Sequence, residues 1–262
     1  MASPPKTLEG KVALVTGSGR GIGAGVAREL GLRGASVVVN YRGSAAAAEA
    51  LSKDIEAAGS KSIALQGDIA NIEDIKALFE KTKAHFGKID IVVSNSGIEH
   101  FGALDEVTPE EFDKVFAVNT RGQFFVAQQA YKHLEDGGRL VLMSSISAHN
   151  SIKEHAVYAG SKNAVEAFAK NFAKDFGPRR ITVNTIAPGG VKTDMANDVG
   201  WKYLPHADAS WTWDMVENAV SKWTPLGRIG EPADIARVVA FLVGPDGYWI
   251  NGKYTVEASQ QQ

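Results

Sequence analysis

Val12-Ala13-Leu14-Val15-Thr16-Gly17-Ser18-Gly19-Arg20-Gly21-Ile22-Gly23 is the stretch on which the reading of this chain turns. The run from Val12 to Thr16 is short and almost continuously apolar, the pattern of a strand buried on both faces of a parallel sheet. Glycines end it, and Ile22, Val26 and Leu30 then recur at four-residue spacing on one face of a helix. A glycine loop between such a strand and a helix N-terminus turns backbone N–H groups toward a pyrophosphate, and the helix dipole adds to the attraction. Gly17, Gly21 and Gly23 are assigned that role. Glycines also make ordinary tight turns, so the surroundings have to support the assignment.

They do so on schedule. Residues 35–40 form a second strand one βαβ unit later. Where an NAD-selective unit would carry an acidic residue for the ribose 2′-hydroxyl, this chain has Asn40-Tyr41-Arg42-Gly43-Ser44. No carboxylate is present to repel a 2′-phosphate. Arg20, Arg42 and the Ser44 hydroxyl can pair with one, so NADP(H) is the expected cofactor; the competing reading leaves both arginines solvated. Asp68, after a third strand at 61–66, either caps the next helix or touches adenine, and Asn71 competes for the cap. A fourth strand, 89–93, ends in Ser94-Asn95-Ser96-Gly97, a polar terminus suited to a ligand crevice.

Thr108-Pro109-Glu110-Glu111 starts a helix that the pattern carries past Asn119 to about Leu134. Asn119 sits among apolar neighbours, so its amide must find partners, and a structural amide is one reading of it. A fifth strand, 139–145, brings Ser144 and Ser145 to the crevice just before a helix bearing Tyr158 and Lys162. Four residues apart, those two share a helix face, and a cation near a phenol favours the phenolate that acid–base chemistry draws on. A sixth strand, 181–187, is closed by Pro188-Gly189-Gly190, with Thr193 following. Between residues 194 and 224 periodicity fades and Trp201, Tyr203, Trp211, Trp213 and Trp223 crowd together. Such a segment is a substrate lid, or its rings form a subunit contact or local core. A helix at 231–243 and a seventh strand at 251–256 complete the pattern.

The expected architecture is α/β: a Rossmann-type doubly wound parallel sheet of about seven strands with helices on both faces. It forms a single domain over residues 1–262, with 1–8 a flexible lead-in. The 44% hydrophobic content, 22% charged content and net charge of −2 suit a globular protein without a nucleic-acid or membrane-surface partner. No cysteine is present, which removes disulfides, thiolate nucleophiles and cysteine-based metal sites. With no apolar stretch behind Met1 to Lys6 long enough for a signal peptide, a cytoplasmic protein is expected. The six histidines lack paired ligand spacing, so no metal is expected. Ser145 lacks the glycine-flanked elbow of a hydrolase nucleophile.

The ordered set Thr16-Gly17-x-x-x-Gly21-x-Gly23, Asp68, Asn95-Ser96-Gly97, Asn119, Ser145, Tyr158-x-x-x-Lys162 and Pro188-Gly189 resembles the short-chain dehydrogenase/reductase family from about Lys11 to Val256. The resemblance implies that Tyr158 is the proton donor in reduction and that Ser145 polarises the substrate oxygen. It makes Lys162 the residue that binds nicotinamide ribose and lowers the tyrosine pKa, and Asn119 the holder of a relay water. Ser145 is preferred over Ser144 because it stands thirteen positions before Tyr158, the family interval. The implied NADPH site adds Ile22, Asn40, Tyr41, Asp68, Asn95, Gly97, Pro188, Gly189 and Thr193 to the loop glycines, arginines and Ser44.

Within the family, Ser94-Asn95-Ser96-Gly97, Asn40-Tyr41, residues 118–127 and the segment around His155 look like the fungal reductases of polyhydroxynaphthalenes, anthrols and related polyketides. This implies an aromatic polyketide substrate meeting Ser145, Tyr158, Gly190, Tyr203 and Trp211, and a homotetramer. Steroid or 3-oxoacyl-thioester reduction, or a non-catalytic NADP-binding regulatory role, are the rival readings. The C-terminal Val256-Glu257-Ala258 departs from the family's Asp-Gly-Gly.

Overall fold

The computed structural model describes residues 4–257. Strands β1 (Val12–Val15), β2 (Ser36–Tyr41), β3 (Ser62–Gln66), β4 (Ile91–Ser94), β5 (Arg139–Met143), β6 (Thr182–Pro188) and β7 (Tyr254–Glu257) form one parallel sheet. Their order is β3-β2-β1-β4-β5-β6-β7. Helices α1 (Gly21–Leu32) and α2 (Ala45–Ala57) pack on one face, and α3 (Ile72–Phe86) on the other. The chain continues through α4 (Pro109–Phe116), α5 (Gln123–His133), α6 (Ala156–Phe176), α7 (Asp194–Val199), α8 (Trp213–Ser221) and α9 (Pro232–Val243).

The apolar run of β1 is resolved by alternation. Ala13 and Val15 enter the core shared with Val26, Leu30 and Val239, while Leu14 enters the opposite core with Phe79 and Leu140. A strand covered on both sides needs apolar residues at every position, which is why this one lacks a polar period. The order reverses between β1 and β4, so a crevice opens at their carboxyl ends. There the Asn95 N–H donates to Thr16 Oγ1 at 3.0 Å, and Asn95 Nδ2 donates to the Thr16 and Gly17 carbonyls at 3.0 and 3.2 Å. The side chain of one strand end thus fixes the loop of the other.

Three expectations change. The helix drawn from 108 to 134 is α4, a π-helical stretch Ala117–Gly122, then α5. The capping box of Thr108 and Glu111 and the proline start it as expected. The wider turn falls at Asn119 and brings Gly122 so close to β3's following loop that a Cβ there would stand 2.6 Å from the Ile69 carbonyl. Secondly, the last residue of the lead-in is anchored: Leu8 is buried in the α1-side core and its N–H donates to the Arg33 carbonyl at 2.9 Å. Met1, Ala2 and Ser3, at the start of that lead-in, lie outside the described residues, as does Ala258. Thirdly, the 194–224 segment is not irregular: it contains α7, a 3-10 turn at Gly200–Tyr203, and α8. Among the described residues no helix is long and apolar enough to cross a membrane.

Candidate active site

A cavity of about 440 Å³ occupies the crevice, and the glycine loop is its first wall. Gly17 and Gly21 adopt left-handed backbone, with φ of 60° and 56°, where a side chain would be strained. Gly23 lies beneath Asn95; a Cβ there would stand 2.5 Å from Asn95 Nδ2 and from the Gly17 carbonyl. Bare backbone at the start of α1 is the cradle a pyrophosphate requires. Arg20 and Ile22 share this wall, and Arg20 reaches across to Asp194 at 3.5 Å in an exposed ion pair.

Beyond β2, Tyr41, Arg42 and Ser44 line the cavity, as does Asp68. Asn40 also lines it, but its amide is engaged: Oδ1 accepts from the Gly17 N–H at 3.0 Å and Nδ2 donates to the Gly67 carbonyl at 3.0 Å. It shapes the loop rather than offering free polar atoms. The capping competition goes to Asn71, which accepts from the Glu73 N–H, while Asp68 Oδ1 accepts from Ala70 N–H. On the far side, Pro188, which ends β6, and Gly189, Gly190 and Thr193 after it line the cavity.

Ser145, two residues beyond β5, and Tyr158 and Lys162, on α6, line this cavity together with Asn95 and Gly97. All three of the first-named are buried. The Ser145 side chain hydrogen-bonds Tyr158, which favours the phenolate, but burial dominates and drives the phenol pKa up, with the Glu99 charge adding to the rise. The expected lowering by Lys162 is not what this arrangement produces: the ammonium stands 5.6 Å from the ring centroid and donates to the Met143 carbonyl at 3.0 Å. Lys162 itself is lowered to about 8, chiefly by burial. Gly97 lets the β4 loop pass this cluster, since a Cβ would meet Lys162 Nζ at 3.2 Å.

Asn119 stands behind the cavity, fully buried. Its Oδ1 accepts from Ile98 N–H at 2.8 Å, and Nδ2 donates to the Ile98 carbonyl at 2.9 Å and to Ser161 Oγ at 3.1 Å. Both amide hydrogens are engaged in joining the β4 loop to α6.

The aromatic segment divides. Tyr203 lines the cavity, edge-on to Phe101 and His155 at 5.1 and 5.2 Å. Trp211, expected at the substrate, does not line it. Trp211 packs with Trp201 and Trp223 around Leu204, Val216 and Val220 in a local core; Trp213, the first residue of α8, packs on the same core and also lines the cavity.

Glu99, which belongs to none of the motifs, is a polar group of the wall. Its pKa is raised from 4.5 to about 7 by burial, against lowering contributions from Tyr203 and Lys162. The folded chain therefore keeps this proton up to about pH 7, whereas an unfolded chain releases it near 4.5. The stability it brings is present below the lower value and lost as pH rises through the upper one, about 3 kcal/mol in all. In thermal melts of cofactor-free protein, Glu99→Gln should gain several degrees over wild type at pH 8 and much less at pH 5. A wild type that melts higher at pH 8 would sink this account.

A glycine cradle at a doubly wound switch point, opening onto a buried Ser/Tyr/Lys cluster, defines a nucleotide-dependent oxidoreductase, and the chain belongs to the short-chain dehydrogenase/reductase family. A family model described as enoyl-(acyl carrier protein) reductase matches residues 17–257. The chain is 54% identical over 249 residues to the tetrahydroxynaphthalene reductase PfmaG of Pestalotiopsis fici, covering 95% of this chain and 90% of that protein. It is 53% identical over 247 residues to elsinochrome reductase 1 of Elsinoe fawcettii, covering 94% and 92%. The crystal structure of the landomycin C-6 ketoreductase LanV with bound NADP and rabelomycin superposes with a TM-score of 0.82 at 36% identity, covering 95% of each chain.

Proposed function

We propose that this protein is an NADPH-dependent ketoreductase acting on the keto tautomer of a polyhydroxylated naphthalene or anthracene. The observation that carries the reading is one cavity continuous from the glycine cradle, past Ser145, Tyr158 and Lys162, to the aromatic wall of Tyr203 and Trp213. Such a wall suits a flat fused ring through stacking and apolar area. The names of the relatives above support the same substrate class.

NADPH, when bound, supplies a hydride to the carbonyl carbon. The residues of the chain handle the oxygen. Tyr158, its proton held firmly by burial, donates to the oxygen as negative charge develops there, and Ser145 donates a hydrogen bond to the same atom. Lys162 holds the ribose side of the cofactor. Asn119 acts at one remove, by fixing Ile98 and Ser161. Arg20, Arg42 and Ser44 take the 2′-phosphate; the exposed pair between Arg20 and Asp194 is weak enough to be exchanged for it. A phenol cannot take hydride at a hydroxyl-bearing carbon while aromatic, so the site must select the ketone form.

The test follows NADPH oxidation with tetrahydroxynaphthalene and with a chemically reduced emodin-type anthraquinone. Turnover of at least one is expected, and none of either by NADPH-loaded protein would overturn the reading. Kinetics with NADH equal to or better than NADPH would refute the phosphate roles. We also infer a cytoplasmic homotetramer: Phe241 on α9 and Tyr248 and Trp249 beyond it are exposed at 45%, 46% and 92%, an apolar group that a subunit contact would cover. Light scattering at the mass of a monomer would exclude the assembly.

A further inference from the structure

We infer that Glu99 is a specificity-determining residue whose carboxyl, set in the cavity wall between Tyr203 and His155, takes a ring hydroxyl of the substrate and so selects the hydroxylation pattern that is reduced. The inference rests on the ketoreductase reading and deepens it.

The position is rigid. Immediately before Glu99, both polar groups of the Ile98 backbone are bonded to Asn119, and soon after it the Gly102 N–H donates to the Glu154 carbonyl at 2.8 Å. The Glu99 side chain is 11% exposed, with Oε1 3.4 Å from His155 Nε2 and the His100 N–H directed at the same oxygen from 3.4 Å. A side chain held this way recognises a ligand at little further entropic cost.

A count of hydrogens shows what the group lacks. His155 Nδ1 lies 2.8 Å from the His100 carbonyl, so that nitrogen carries the ring proton and Nε2 of the neutral ring is an acceptor. Tyr203 Oη lies 3.3 Å from Nε2 and also hydrogen-bonds Glu99 and Ser147. Once Glu99 has ionised, above about pH 7, two acceptors, Nε2 and the carboxylate, face the single hydrogen of the Tyr203 hydroxyl, with only the His100 N–H beside them at 3.4 Å. In that state, reached in an assay at pH 8, the group lacks a strong donor and a phenolic hydroxyl supplies it; at lower pH the carboxyl's own hydrogen fills the place. The titratable groups around Glu99 are Tyr203, Tyr158, Lys162, His155 and His100, and the one cation among them, Lys162, is committed to the Met143 carbonyl. A ligand without a hydroxyl at this place would bury the carboxyl against an apolar ring, the mismatch by which sites built to bond a hydroxyl reject analogues that lack it.

The experiment compares 2-tetralone with its phenolic monohydroxy isomers in NADPH-dependent reduction by wild type, Glu99→Gln and Glu99→Leu. At least one isomer is expected to exceed 2-tetralone about tenfold or more in kcat/KM with the wild type, mainly through KM. Glu99→Leu should bring that ratio to within about threefold, and Glu99→Gln should keep part of it. An unchanged ratio in Glu99→Leu would overturn the inference, as would a proportional fall for every ketone, which is what a residue that only shapes Tyr203 and His155 would give. If the wild type reduces none of these ketones, the reaction itself has been misread for this substrate class. Glu99 is then judged by binding of 2-naphthol and of dihydroxynaphthalenes to the NADP⁺-loaded protein: a dihydroxy preference lost in Glu99→Leu supports it, and equal affinities refute it.

Discussion

A Tyr158→Phe protein is expected to bind NADPH as the wild type does and to lose on the order of 10²–10⁴-fold in kcat, the contribution typical of a positioned general acid. The substitution keeps the ring, and with it the packing against His155 at a centroid distance of 4.7 Å. What disappears is one hydroxyl, hydrogen-bonded to Ser145. Burial and the Glu99 charge both hold the proton on that hydroxyl, so at neutral pH the wild type presents an acid, the form that reduction needs. The neighbouring ammonium of Lys162 titrates at about 8 in the cofactor-free protein. A fluorescence titration with NADPH and a steady-state assay, run on the same preparation, separate binding from chemistry. Turnover at the wild-type level would mean that another group delivers the proton.

The parts of this site that the sequence disclosed are those governed by local rules. The glycine loop follows a strand with no polar period, and β1 is indeed apolar toward both cores. Tyr158 and Lys162 share a face of α6 because helical spacing puts them there. Ser145, Asn95 and the loop gather at one edge because parallel strands deliver their carboxyl ends together. Residues whose meaning depends on distant partners were harder to read. Glu99 stands in a loop between Ile98 and His100, and nothing nearby in the chain indicates that His155 and Tyr203 will enclose it. The π-helical turn at Asn119 retains apolar residues around it and so reads as ordinary helix. The two tryptophans are separable by a local rule: Thr212 caps α8 and Val216 and Val220 follow at four-residue spacing, a start signal that falls between Trp211 and Trp213.

Asn119→Leu should show how far the reactive cluster depends on one buried amide. Leucine keeps the branch at Cγ but is bulkier, so some crowding adds to the main loss: the Ile98 N–H and carbonyl lose their partner, and Ser161 Oγ loses a donor. A buried backbone group left unpaired costs about 1–3 kcal/mol, so the variant should be less stable by about 3 kcal/mol or more. That corresponds to a fall of roughly 6–12 °C in Tm for a chain of this size. The effect should extend to the site, because the released segment carries Glu99 on one side of Ile98 and Gly97, packed over Lys162, on the other. Asn119→Asp is the informative companion. It keeps an acceptor for the Ile98 N–H but turns a second oxygen toward the Ile98 carbonyl, so it should restore little of the loss. Thermal melts of the three proteins, with and without NADP⁺, decide the matter: an Asn119→Leu protein within about 2 °C of wild type would show that the β4 loop is held by its other contacts.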